Sequence, residues 1–147
     1  MMNIREYRES DSAEWLRMRL ALWPDDSPAG HESGMAEWLA RPDTIVLVAE
    51  RPNGEGLAGF AEVGMRPFAD GCNTSPVAFL EGWYVDPDVR RQRIGSALLR
   101  AAEDWARQHG YREFASDALL ENAVSHRAHE AFGFIEVERA VRYRKQL

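Results

Sequence analysis

The chain has 147 residues, 45% hydrophobic and 29% charged, the composition of one folded domain over 1–147 rather than of a disordered chain. Lys plus Arg total 18 against 24 Asp plus Glu, a formal net charge of −6, which argues against a general nucleic-acid binder and would attract a small polycation. No run approaches the ~20 apolar residues of a membrane span, the stretch Met1 to Glu6 lacks the apolar core of a secretion signal, and Cys72, the single cysteine, fits a reducing cytoplasm.

Taken in chain order, Asn3–Arg8 predicts a first strand. Ser10 and Asp11 offer N-cap oxygens, and Glu14 follows Asp11 at the spacing of a capping box. Trp15, Met18 and Leu22 then recur at helical spacing until Pro24 stops the helix. A second helix is predicted over Glu32–Ala40, and the β-branched run Thr44–Glu50 predicts a buried strand. Pro52-Asn53-Gly54 is turn chemistry, so Leu57–Met65 should return as a hairpin. Arg66–Pro76 reads as a loop and Val77–Val85 as a strand, in which Gly82 marks a bulge.

The clearest helix follows. Ile94, Ala97, Leu98, Ala101, Ala102 and Trp105 form one apolar stripe, closed by His109-Gly110. Tyr111–Asp117 predicts a strand, Asn122–Phe132 a helix ended by Gly133, and Phe134–Arg144 a long final strand. Strands alternating with helices make this a mixed α and β domain. The four histidines form no pattern that requires a metal.

The chemistry concentrates between Val85 and Leu99. A strand ends, Arg90, Arg91, Gln92 and Arg93 follow, and a helix opens at Ile94-Gly95-Ser96. A helix N-terminus leaves about four N–H groups unpaired and carries the positive end of the dipole, so this segment reads as a pyrophosphate cradle. Its bland alternative is a solvated basic turn. Glu81 lies inside the apolar run Phe79-Leu80-Glu81-Gly82-Trp83, where an unpaired charge is costly. Asp117 ends a strand, a place where sites gather. Asp25 and Asp26 follow Trp23-Pro24 and could hold amino groups with Trp23 as an apolar wall, or could simply be turn residues. Phe68 and Asp70 are weaker candidates in the loop before Cys72, which itself reads as structural.

Arg90-Arg91-Gln92-Arg93-Ile94-Gly95 resembles motif A of the GNAT acetyltransferases, with Arg93 where the first glycine usually sits. Asn122, Ala128 and Gly133-Phe134 resemble motif B. The segments Asn73–Val85, Glu113–Asp117, Leu22-Trp23-Pro24 and Gly133–Arg139 are similar to aminoglycoside 6'-N-acetyltransferases. The resemblance implies an α+β GNAT fold, a mostly antiparallel mixed sheet flanked by helices and splayed beside Gly82. It implies transfer of acetyl from acetyl-CoA to the 6'-amine of an aminoglycoside, by direct attack in a ternary complex. Glu81 and Asp117 would meet the amine, and His129 stands where many members carry the tyrosine that protonates the thiolate. Tyr84, Val85, Arg90 to Ser96, Asn122 and His129 would line the cofactor. Trp23, Asp25, Phe68 and Glu138 would join Glu81 and Asp117 around the substrate. A homodimer with C-terminal segments packed between subunits is also implied. A GNAT enzyme for another cationic amine such as a polyamine, and a weakly catalytic CoA-binding module, are the rival readings.

Overall fold

The computed structural model describes residues 3–147; Met1 and Met2, part of the N-terminal stretch read above, lie outside the described residues. The apolar runs pair in chain order into a five-stranded sheet: β1 (Asn3–Glu6), β2 (Ile45–Glu50), β3 (Leu57–Arg66), β4 (Val77–Val85) and β5 (Phe114–Ser116). Neighbours run antiparallel except β4 and β5, which are parallel because α3 (Ile94–Gln108) intervenes as a crossover. Helices α1 (Ser12–Leu22), α2 (Pro28–Ala40) and α4 (Ala123–Ala131) complete the fold.

The strands bury both faces, with one main core on each and a small cluster of Ala69, Val77 and Phe79 beside Cys72. On one face Ile94, Leu98, Leu99 and Ala102 of α3 pack on Leu47, Ala49, Ala61, Val63 and Leu80. Gly59 permits this approach, since a Cβ there would stand 2.6 Å from the Tyr84 carbonyl and 3.2 Å from Leu98. On the other face Trp15 and Met18 of α1 and Met35 of α2 cover Val46, Val48, Leu57 and Phe60.

Several boundaries differ from the sequence expectation. Helix α2 starts a turn early, at Pro28, because the Ser27 hydroxyl accepts the Gly30 N–H at 3.0 Å and proline suits the first turn. The Asp11–Glu14 capping box does not form. Asp11 instead accepts the Arg8 N–H and two bonds from Arg5, while Glu14 accepts the Leu57 N–H and pairs with Arg17. The predicted final strand over Phe134–Arg144 is absent: among the described residues this segment pairs with no strand. Ile135, Val137, Val141 and Tyr143 consequently stand exposed on it.

Candidate active site

The register of β3 against β4 runs Glu62↔Gly82 and then Val63↔Leu80, so Glu81 is the extra residue of a bulge in β4. A bulge breaks the alternation of faces. Leu80 and Trp83, three apart, both join the α3 core. Glu81 and Gly82 are thereby left on the opposite face, where a Cβ on Gly82 would meet Trp23 at 2.8 Å and Phe60 at 3.4 Å. The Glu81 carboxylate is bound by one edge of the Arg66 guanidinium, Nε at 3.0 Å and Nη2 at 2.7 Å. Asp117, just beyond β5 and exposed, approaches the same Nη2 to 4.0 Å. Two strands thus bring Glu81 and Asp117 to one cation.

The ladder between β4 and β5 ends at Leu80↔Ser116. Beyond it Glu81 to Val85 have no strand on that side, which is the splay expected beside Gly82. His129 of α4 sits at the point of divergence. Its Nε2 is 2.8 Å from Ser116 Oγ, its Nδ1 is 2.7 Å from the Ser125 carbonyl, and its ring lies edge-on to Trp83. Asn122 caps the same helix through its side-chain oxygen on the Ser125 N–H.

The loop after β4 is pinned at its start. Asp86 is buried and accepts from Arg17 and Arg51, each at 3.0 Å or less. Burial pushes its carboxyl up, but the two guanidiniums and Tyr84 outweigh burial and hold it below its usual range. Arg90 Nε then returns to the Val85 carbonyl. Arg91 and Arg93 both adopt the left-handed region, with φ of 71° and 64°. Arg93 therefore takes a glycine-like backbone while remaining a cation at the N-cap of α3. Trp83 Nε1 donates to the Gly95 carbonyl at 3.1 Å and ties the first turn of α3 to β4. Exposed arginines, a bent loop and the unpaired N–H groups of that turn fit a pyrophosphate, and the free edge of β4 beside it fits an extended thioester arm.

Residues 9–134 match the Acetyltransferase (GNAT) family. The chain belongs to this family. It is 51% identical to aminoglycoside N(6')-acetyltransferase type 1 of Klebsiella aerogenes over 98% of this chain and 96% of that protein. The crystal structure of the aminoglycoside antibiotic 6'-N-acetyltransferase AAC(6')-IG from Acinetobacter haemolyticus superposes with a TM-score of 0.92 at 39% identity, covering 99% of each chain. A structure of AAC(6')-Iy in complex with the bisubstrate analogue CoA-S-monomethyl-acetylneamine also gives a TM-score of 0.92, at 34% identity, covering 100% of this chain and 99% of that one.

In this GNAT acetyltransferase the remaining sequence-predicted residues are not all brought to the bulge. Trp23 is half-buried against Gly82, with the Arg19 guanidinium 5.0 Å above its ring. Asp25 and Phe68 are exposed and share no hydrogen bond or ion pair with Glu81 or Asp117, while Tyr84 packs on Phe60. Val137 lies against Gly71, where a Cβ would come within 2.5 Å, and this brings neighbouring Glu138 to the loop that carries Phe68.

Residues outside the sequence reading hold these parts. Arg66, expected in a loop, ends β3 opposite Val77. Glu62 is buried behind the bulge, bonded to Arg19 and to Trp15 Nε1. Burial drives its carboxyl upward against the pull of Arg19 and Trp15. Arg19 Nε also donates to His31 Nδ1, and His31 Nε2 reaches the Trp23 carbonyl at 2.9 Å, so one network runs from the bulge to the Trp23 corner. Glu113 accepts the N–H groups of Asn73 and Thr74 and the Thr74 hydroxyl, which hold its carboxyl below its usual range and fix the Phe68 loop. Burial, with Glu113 beside it, pushes the Cys72 thiol up, which suits a packing role rather than a nucleophile. A charged residue inside an apolar strand was the sequence signal that could have exposed Glu62 as readily as Glu81.

Proposed function

We propose that the chain transfers acetyl from acetyl-CoA to the 6'-amino group of aminoglycosides in a ternary complex and so confers resistance to them. The observation that carries this reading is the placement of two carboxylates, Glu81 on the β4 bulge and Asp117 beyond β5, beside the gap where those strands part. An aminoglycoside is a polycation, and the amine that reacts must first lose a proton. Glu81 and Asp117 hold the ammonium, and one of them, directly or through water, accepts that proton. Bound acetyl-CoA supplies an activated thioester. The backbone near Tyr84 and Val85 faces the thioester oxygen and stabilises the charge that develops on it. His129 delivers a proton to the departing sulfur. Arg90 to Ser96 hold the pyrophosphate, and Asn122 borders the pantetheine arm.

Trp23, Asp25, Phe68 and Glu138 complete the substrate side. The protein works as a homodimer in the cytoplasm, where acetyl-CoA is made. The dimer reading is supported by Ile135, Val137, Val141 and Tyr143, exposed on a segment with no strand partner of its own. Free-thiol release from acetyl-CoA tests the activity, with tobramycin or kanamycin compared against spermidine and a lysine peptide. Turnover with the aminoglycosides well above the other amines is expected. Turnover confined to another amine removes the resistance assignment. Silence with every amine removes the enzyme assignment.

A further inference from the structure

We infer that Arg66 is the resident counter-cation of the acceptor site, held where the substrate ammonium will sit and exchanged for it on binding. This rests on the aminoglycoside reading above. Arg66 is the cation that the structure brings to both Glu81 and Asp117. Its fork takes one lone pair on each Glu81 oxygen, at 2.7 and 3.0 Å, while the same Nη2 stands 4.0 Å from Asp117. The guanidinium also lies over Phe79, with Cζ 3.5 Å from the ring centroid. An ammonium recognised by Glu81 and Asp117 needs the space between them, and Arg66 fills it.

The side chain is built to leave. It is 42% exposed, so the guanidinium can turn into solvent without crossing the core, giving up one partly exposed ion pair. Its stem rests on Phe79 whichever way the head turns. The neighbouring carboxylate Glu62 is buried and already has a cation of its own in Arg19. With Arg66 in place the trio of Glu81, Asp117 and Arg66 carries a net charge of −1. When it swings out the two carboxylates present −2 to the ligand. The exchange therefore favours a ligand with several ammonium groups over a monoamine.

Arg66→Met keeps the apolar stem and removes the charge. Calorimetry with tobramycin, CoA being present so that no acetyl moves, should give a dissociation constant about three- to fivefold lower than the parent's. The gain should shrink as salt is raised. Arg66→Lys should stay near the parent. Unchanged or weaker binding by Arg66→Met overturns the inference and leaves Arg66 as a rivet for the bulge. A second measurement uses the unaltered protein: the Nε–H resonance of Arg66, assigned by its loss in Arg66→Met, should pass from protected to freely exchanging on saturation with tobramycin. A resonance that stays protected overturns the inference as well. A parent that neither binds tobramycin nor releases thiol with it overturns the aminoglycoside reading and this inference together.

Discussion

His129 Nε2 lies 2.8 Å from Ser116 Oγ, and this contact joins α4 to the last paired residue of β5. Ser116 Oγ donates to the Leu80 carbonyl at 3.3 Å and so can accept from Nε2–H, while Nδ1 lies 2.7 Å from the Ser125 carbonyl. The ring edge also meets Trp83 and Phe134, at centroid distances of 5.5 and 5.1 Å. A histidine on the outer face of a surface helix would have none of these partners. This one is oriented at the divergence of β4 and β5, with Nε2 on the Ser116 hydroxyl where the two strands part.

His129→Gln should therefore lower kcat by about 10²-fold, the usual worth of a positioned acid, with acetyl-CoA affinity little changed. Ser116→Ala should lower kcat less, because it releases the ring without removing it. Steady-state thiol release checks both. Parent-like kcat in His129→Gln would assign proton delivery to water.

Arg93 offers a test of the loop. Its left-handed backbone costs about 1–2 kcal/mol for a side-chain-bearing residue, whereas glycine adds about 0.5–1 kcal/mol of unfolded-state entropy. The first term wins, so Arg93→Gly should be the more stable protein by about 0.5 kcal/mol, a rise of about 1–2 °C in Tm. Arg93→Val, β-branched, should melt below the parent. The opposite order of the two melting temperatures would show that the loop carries no such strain. Acetyl-CoA affinity should fall in both variants, since a cation at the α3 N-terminus is lost.

Gly82 connects the bulge to the substrate side. A Cβ there would stand 2.8 Å from Trp23 Cη2, the far edge of a rigid ring stacked near His31 and Arg19. Overpacking of this kind costs about 1–3 kcal/mol. Gly82→Ala should displace Trp23, raise the aminoglycoside KM several-fold and leave acetyl-CoA affinity unchanged. Equal KM values would place Trp23 outside the substrate site.

What was legible in the sequence followed from local period and chemistry. The α3 stripe was readable because every third or fourth residue is apolar, and the bulge because a glycine and a charge interrupt an apolar strand. Long-range competition was not readable. Asp11 and Glu14 have capping-box spacing, but Arg5 on β1 claims the Asp11 carboxylate and the Leu57 N–H, distant in sequence, claims that of Glu14. Arg66 meets Glu81 only once the hairpin register and its extra residue are known. The alternation over Phe134–Arg144 describes a strand correctly in pattern, yet a strand also needs a neighbour, and this chain places none beside it.

Acid should weaken the fold through Asp86, the anchor of the loop between β4 and α3. Its folded carboxyl titrates below its usual value of about 3.8, so the unfolded chain binds that proton more readily. The stabilisation is present above that value and is lost as pH falls through the folded one. Asp11, held low by Arg5, and Glu14, held low by Arg17, act with the same sign. Asp86→Asn leaves Arg17 and Arg51 facing a neutral amide. It should cost about 2–4 kcal/mol at pH 7, toward the lower end because Arg17 is half exposed. Near pH 3 the parent has begun to lose the same interaction, so the gap between the two proteins should narrow. Urea unfolding of both at pH 7 and pH 3 measures it. A gap that stays constant would mean that Asp86 contributes by shape and hydrogen bonding rather than by charge. A gap that closes would tie the acid limit of the fold to the residue from which the arginine loop before α3 departs.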